Sequence, residues 1–196
     1  MKKIKGKSVG LVWALVLGGV VLVVGAIGGT MAWLVDTTES VENIFTVSDI
    51  DITLQESTGN AYKMIPGLTI TKDPFVQVLK DSEACYVFVQ VDKSENFDTY
   101  MTAVIDTGTD KWIKLDGYDN VYYRQVEATG DDASEKFYLL ENNQVSVKET
   151  VTKEQMDVLT ESTYPTLTFT AYAVQLYGDG DHTIMDVSDA WDLVKR

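Results

Sequence analysis

The N-terminal 35 residues say most about where this chain folds, because a basic end is followed there by a long run without charged residues. All four lysines of residues 1–7 precede 28 residues, Ser8 to Val35, that carry no charged side chain. A helix needs roughly 20 apolar residues to cross a bilayer. Lysines beside such a span stay on the cytoplasmic side. The sequence therefore predicts that the rest of the chain is exported.

Small residues near the end of this run indicate a signal peptide of residues 1–32, whose apolar core is 8–27. Thr30 and Ala32 occupy the −3 and −1 positions of a signal-peptidase site that cuts before Trp33. The alternative is an uncleaved anchor, since the apolar run exceeds the usual 7–15-residue signal core. Both interpretations place the folded part outside the cytoplasm, either secreted or at the cell surface.

The chain beyond residue 32 is strongly acidic, with 12 basic and 30 acidic residues and a net charge of −18. Such a protein repels phosphate backbones, which excludes nucleic acid as a partner. Two acidic loops, Asp131-Asp132 and Asp179-Gly180-Asp181, contain calcium-type ligands. Neither completes the twelve-residue EF-hand pattern, so solvated turns are the favoured interpretation. The sequence predicts no cofactor and no metal site.

The inventory of reactive side chains argues against catalysis. His182 is the only histidine, so a two-histidine zinc motif cannot be built from one chain. It lies in a Gly/Asp loop, where we expect an exposed, passive imidazole. Cys85 is the only cysteine and alternates with valines on the strand 84–91, which predicts a buried thiol. Phosphate-binding glycine motifs are missing from the sequence, and no carboxylate pair is singled out by its spacing. We predict that the protein is not an enzyme.

Many short alternating segments with turn signals predict a mainly β fold, an antiparallel β-sandwich with two or three short helical insertions after the N-terminal signal or transmembrane helix. Residues 33–43 form an arm, and 44–196 form the sandwich domain. The clearest strands are 84–91, 121–126 and 166–177.

Three segments of the sandwich domain have the patterns of short helices. Apolar residues spaced i, i+3, i+4 over 97–105 predict the first, with Ser94 as its N-cap. Thr152 and Gln155 form a capping-box pattern at the second. Ser188 is the predicted cap of the last.

The first strand contains a change of phase. Phe45 and Val47 alternate, whereas Ile50 and the residues after it alternate one position out of step. The change at Ser48-Asp49 predicts a bulge or bend. Farther on, Pro74 predicts an edge strand or two short strands.

Several segments resemble the TasA/camelysin family of Gram-positive surface and biofilm-matrix proteins. They are Gly28–Asp36 at the cleavage site, Asn43–Ile52 in the first strand, Pro66-Gly67 with Lys72, and Ala84–Val91. The pattern is strong over residues 1–90 and looser afterwards, and Ser48 stands where the family has Gly. Members are exported through a long signal peptide cut by a SipW-type signal peptidase. Some have been described as metalloproteases, an activity that the single histidine argues against here.

The resemblance implies a jelly-roll-like sandwich and an extracellular fibre. In such fibres the N-terminal arm of one subunit adds as a strand to the next, so the partners are copies of the chain, the signal peptidase and other matrix or surface proteins. An open sheet edge can accept an incoming strand. The donor residues are Trp33, Leu34, Val35 and Val41, of which the odd-numbered three share one face. The alternative is a non-catalytic, membrane-anchored or accessory surface module that binds another protein.

Overall fold

The computed structural model describes residues 50–58, 62–130, 136–178 and 182–195. The predicted signal peptide, its cleavage residues Thr30, Ala32 and Trp33, and the arm with Leu34, Val35 and Val41 lie outside these residues, as do both acidic loops. Among the described residues, no helix combines the length and the apolar character that a membrane span requires.

Ten strands and three short helices make up the described part of the chain. The strands are β1 Ile52–Gln55, β2 Thr69–Thr71, β3 Phe75–Val78, β4 Cys85–Lys93, β5 Met101–Ile105, β6 Ile113–Lys114, β7 Val121–Val126, β8 Lys136–Tyr138, β9 Leu140–Val147 and β10 Leu167–Gln175. The helices are α1 Phe97–Tyr100, α2 Lys153–Asp157 and α3 Val187–Val194, with a 3-10 turn at Glu161–Thr163. The prediction of a mainly β fold with short helical insertions is confirmed.

The strands form three antiparallel sheets, in the orders β1-β3-β8, β2-β9-β5 and β10-β4-β7-β6. Strand β4 pairs with β10 along all nine residues and with β7 along six. Cys85, Val87 and Val89 on one face of β4 belong to the main core, whereas Tyr86 and Phe88 on the other face belong to a second cluster. This sheet is therefore buried on both faces.

Helix α3 covers the second face of that sheet. The Trp191 ring lies 5.2 Å from the Phe88 ring and 5.4 Å from the Tyr172 ring, measured between centroids. The predicted cap was wrong by two residues: Asp186 is the N-cap, and its carboxylate accepts a hydrogen bond from the Ser188 amide. An aspartate at this position satisfies an amide that the helix itself leaves unpaired.

The predicted helix over 97–105 was wrong in its second half. Helix α1 ends at Tyr100, and strand β5 starts at Met101. Pairing with β9 explains the difference, because the Lys148 amide donates to the Tyr100 carbonyl at 2.9 Å. Ser94 is not the cap either: its hydroxyl binds Asn96, which is the N-cap, and accepts from the Thr166 amide.

Two local predictions are confirmed. The Thr152 hydroxyl accepts from the Gln155 amide, and the Gln155 side chain accepts from the Thr152 amide, which completes the capping box of α2. The segment around Pro74 forms two short strands, β2 and β3. Although β3 is the central strand of its sheet, Pro74 precedes its first residue, so its missing amide removes no ladder bond.

Candidate functional site

Six strands lie at the edges of the three sheets within the described part of the chain: β1 and β8, β2 and β5, and β10 and β6. Edge strands present backbone groups that a further strand can pair with. A short edge strand, or one that carries a lysine, is less prone to such pairing with another chain. Four of these edges have two to four residues, and one of those, β8, begins with Lys136. The longer edges are β5, with five residues, and β10, with nine.

A groove of about 950 Å³ lies between β5 and β6, which are the edge strands of two different sheets. Strand β5 lines it with residues 103–105, and β6 lines it with Ile113 and Lys114. Buried apolar side chains form its interior, namely Val91, Trp112 and Leu167. The groove therefore combines an apolar interior with two strand edges. We call it the β5–β6 groove.

The backbone of β5 is oriented so that half of its polar groups point away from its partner strand. The carbonyl of Tyr100 and the amide of Asp106 both bond to the β9 side, to Lys148 and Leu139. Antiparallel ladders alternate residue by residue. The N–H and C=O groups of the odd-numbered residues, among them Ala103 and Ile105, therefore point away from β9. Both of these residues line the β5–β6 groove.

An irregularity in β5 exposes an apolar side chain at the groove. The pairing of β5 with β9 shifts register between Ala103 and Ile105. Val104, at the shift, is 50 % exposed although it was predicted to lie on the apolar face of a helix. Its exposure provides a further apolar surface for a bound segment.

Charges of both signs line the groove. Lys93 Nζ lies 2.9 Å from Asp98 Oδ1, and Lys114 Nζ lies 2.9 Å from Asp119 Oδ1. The hydrogen bond that Lys114 donates to the Asp119 carboxylate raises the pKa of Lys114. The lining residues include no histidine and no cysteine, and no group of three metal-ligating side chains occurs among the described residues. The arrangement suits binding of an extended polypeptide through backbone pairing and apolar contact.

The only cysteine and the only histidine of the sequence, Cys85 and His182, do not line this groove. Cys85 is fully buried in β4, and burial raises its thiol pKa to about 12, which confirms the predicted buried thiol. His182 is exposed, as predicted, and its ring lies 5.0 Å from that of Tyr177.

Sequence reasoning did not find the β5–β6 groove, because it placed Val104 in a helix. The β-branched residues Thr102, Val104 and Ile105 were the available signal, since this composition favours a strand over a helix. Trp112 is a second residue of the groove that the sequence pattern did not single out. In the structure its indole Nε1 donates to the Tyr138 carbonyl at 2.8 Å, which fixes the ring inside the groove.

Comparisons with protein-family models, with curated proteins and with solved structures find no match to this chain.

Proposed function

We propose that this protein is an exported structural subunit that assembles into extracellular fibres. In this proposal the arm, residues 33–43, of one copy enters the β5–β6 groove of the next copy. The observation that supports it best is the groove itself, because it is bounded by two strand edges and lined by buried apolar side chains. A strand added there satisfies open backbone groups while its alternate side chains fill the groove.

The length of the arm fits this role. An extended strand rises about 3.3 Å per residue, so the arm, residues 33–43, spans about 36 Å. The arm is therefore longer than β5, which has only five residues. About five residues of the arm pair with β5, and the rest bridges the two subunits. Trp33 and Val35 lie on one face of the extended arm. Their side chains contact the apolar interior at Val91 and Trp112.

Donor and acceptor are different surfaces, so the contact is head-to-tail and propagates as an open filament. The signal peptide, residues 1–32, controls when this begins. While it remains attached, the arm is held at the membrane. Cleavage after Ala32 by the signal peptidase frees Trp33 outside the cell.

An edge-strand proline tests the acceptor. The Ala103 amide points away from β9, and proline is tolerated at such positions. We expect Ala103→Pro in the polypeptide 33–196 to reduce fibre yield at least tenfold, measured by electron microscopy and sedimentation. Thr71→Pro is the matched control, because the Lys72 amide bonds to β9 and the Thr71 amide therefore points to the free edge of β2. Equal fibre yields from two folded variants contradict the proposed acceptor.

The length of the apolar run favours a second candidate, a surface module that keeps its N-terminal helix as an anchor. The two differ at the first residue of the extracellular protein. N-terminal sequencing that starts at Trp33 supports the fibre subunit, whereas an uncut Met1 supports the anchored module.

A further inference from the structure

A second, smaller cavity lies beside the β5–β6 groove. It has a volume of about 200 Å³, and Trp112 lines both it and the groove. Pockets that hold small molecules usually measure roughly 300–1,000 Å³, so this cavity suits a single side chain rather than a free molecule. Three basic residues line it, namely Lys111, Arg124 and Lys136. We call it the cationic cavity.

The charge of this cavity is opposite to that of the chain around it. Beyond residue 32 the chain has 30 acidic and only 12 basic residues. Three basic and two acidic residues line the cationic cavity, whereas two basic and three acidic residues line the groove. One of the acidic residues of the cavity, Asp106, is already paired with Lys111 at 2.6 Å. A negatively charged group of a bound polypeptide is therefore favoured in the cavity over the groove.

Two aromatic rings and a backbone carbonyl hold the guanidinium of Arg124 in place. Its central carbon lies 3.8 Å from the centroid of the Phe137 ring and 5.7 Å from that of Trp112. Its Nη2 donates to the Asp110 carbonyl at 3.1 Å. The planar fork of a guanidinium matches a carboxylate, and a guanidinium that is already oriented loses little freedom on binding one.

Lys136 contributes a positive charge that has no carboxylate partner. This exposed residue begins β8, and its Nζ lies 4.1 Å from the centroid of the Phe75 ring. It makes no ion pair within the described part of the chain. Its ammonium can therefore bind a carboxylate without breaking an existing pair, whereas both lysines of the groove are already paired.

We propose that the cationic cavity binds a carboxylate of the polypeptide segment held in the adjacent groove, an inference that rests on the proposed function. The arm has the required composition, because residues 33–43 contain Asp36, Glu39 and Glu42 and no basic residue. The groove accepts the apolar part of the segment, and the cavity selects a segment that is also acidic. Together they make the acceptor specific for the arm of another copy.

Two synthetic peptides test this selection on the full chain, whose leader in the proposed function keeps its own arm from assembling. One has the sequence of residues 33–43, and the other carries Asp36→Asn, Glu39→Gln and Glu42→Gln. We expect the acidic peptide to bind about fivefold more tightly, the upper range for a partly exposed ion pair. Fluorescence anisotropy of labelled peptides in a nonionic detergent measures both affinities. The net charge of −14 by itself favours the neutral peptide, so the sign of the difference is decisive.

A matched pair of variants assigns the effect to the cavity. Lys136→Glu should remove the preference for the acidic peptide. Lys153→Glu makes the same change of charge at an exposed lysine that lines neither cavity, and it should alter the affinities by less than about twofold, because salt screens distant exposed charges. A third peptide with Asp36→Lys, Glu39→Lys and Glu42→Lys should gain affinity in Lys136→Glu and not in Lys153→Glu.

The possible outcomes separate this inference from the proposed function. Equal binding of the acidic and neutral peptides, tighter binding of the neutral one, or the same loss in Lys136→Glu and Lys153→Glu overturns the cationic cavity and leaves the groove as the acceptor. Failure of every peptide to bind overturns both proposals.

Discussion

A lysine whose side chain is completely buried is the least expected residue of this acidic protein. Lys72 is 0 % exposed, and its Nζ lies 2.7 Å from Oε2 of Glu56, which is nearly as buried. Oε1 of Glu56 accepts a hydrogen bond from the Thr58 hydroxyl. Removing one member of a buried ion pair leaves the other charge without its counter-charge in a medium of low dielectric constant.

We expect Lys72→Ala to lower the free energy of unfolding by about 3–5 kcal/mol, the range for breaking a buried ion pair. The double variant Lys72→Met with Glu56→Gln removes both charges and should lose much less. Urea denaturation of the single and double variants measures the difference. A double variant less stable than Lys72→Ala contradicts the electrostatic explanation.

Cys85 provides an internal reporter of unfolding. Burial raises its thiol pKa to about 12, so almost no thiolate exists at pH 8, and the thiolate is the reactive form. We expect a maleimide reagent to leave the native protein unlabelled at pH 8 and to label one thiol per chain in urea. Labelling by mass spectrometry should follow the same urea midpoint as circular dichroism. Rapid labelling without denaturant contradicts the buried position.

Individual elements show where sequence patterns suffice and where they do not. The capping box of α2 depends on residues three apart, and β7 coincides with the predicted segment 121–126, so local signals found both. The spacing of the apolar residues is compatible with two structures: one continuous helix, or a helical turn followed by a strand. The residues concerned are Phe97, Tyr100, Met101 and Val104. The choice depends on β9, about 40 residues later. The β5–β6 groove also depends on contacts between distant parts of the chain, because its two sides belong to different sheets.

The loop after β1 is held to the start of β3 by one carboxylate. Asp73 accepts hydrogen bonds from the amides of Ser57 and Thr58 and from the Ser57 hydroxyl. Burial acts to raise the pKa of Asp73, but these hydrogen bonds outweigh it, and the pKa lies below its ordinary value of 3.8. This carboxylate therefore stabilises the loop only when it is ionised.

We expect the Asp73 contribution to be fully present above about pH 4 and to be lost as the pH falls from 3.8 through the lower pKa of the folded state, because protonation then favours the unfolded chain. Asp73→Asn should reduce stability at pH 6 and show a smaller loss of stability on acidification. Thermal unfolding at pH 6 and pH 3 measures both. A difference between the two proteins that is the same at both pH values contradicts the ionic role.

At the scale of the whole molecule, charge opposes the proposed assembly. The chain beyond residue 32 carries a net charge of −18, so identical subunits repel one another at low ionic strength. The Debye length falls from about 30 Å at 0.01 M salt to about 8 Å at 0.15 M. Added salt therefore weakens the repulsion over the distance between neighbouring subunits.

We expect residues 33–196 to form fibres at least several-fold faster in 0.15 M than in 0.01 M sodium chloride, followed by light scattering. Replacing acidic residues that do not line the groove, such as Glu154 and Glu161, by glutamine should reduce this dependence. Fibre formation that slows as salt is added would show that attraction between opposite charges, rather than apolar contact and backbone pairing, controls assembly.

The two sides of the β5–β6 groove belong to separate sheets, so an arm bound there as proposed would link those two sheets. A ligand that binds only the native form raises its resistance to unfolding. Subunits inside a filament should therefore survive heat and protease longer than the last subunit, whose groove is vacant. Unfolding and proteolysis of such fibres would then begin at the end whose last subunit has a vacant groove and proceed from that end along the fibre.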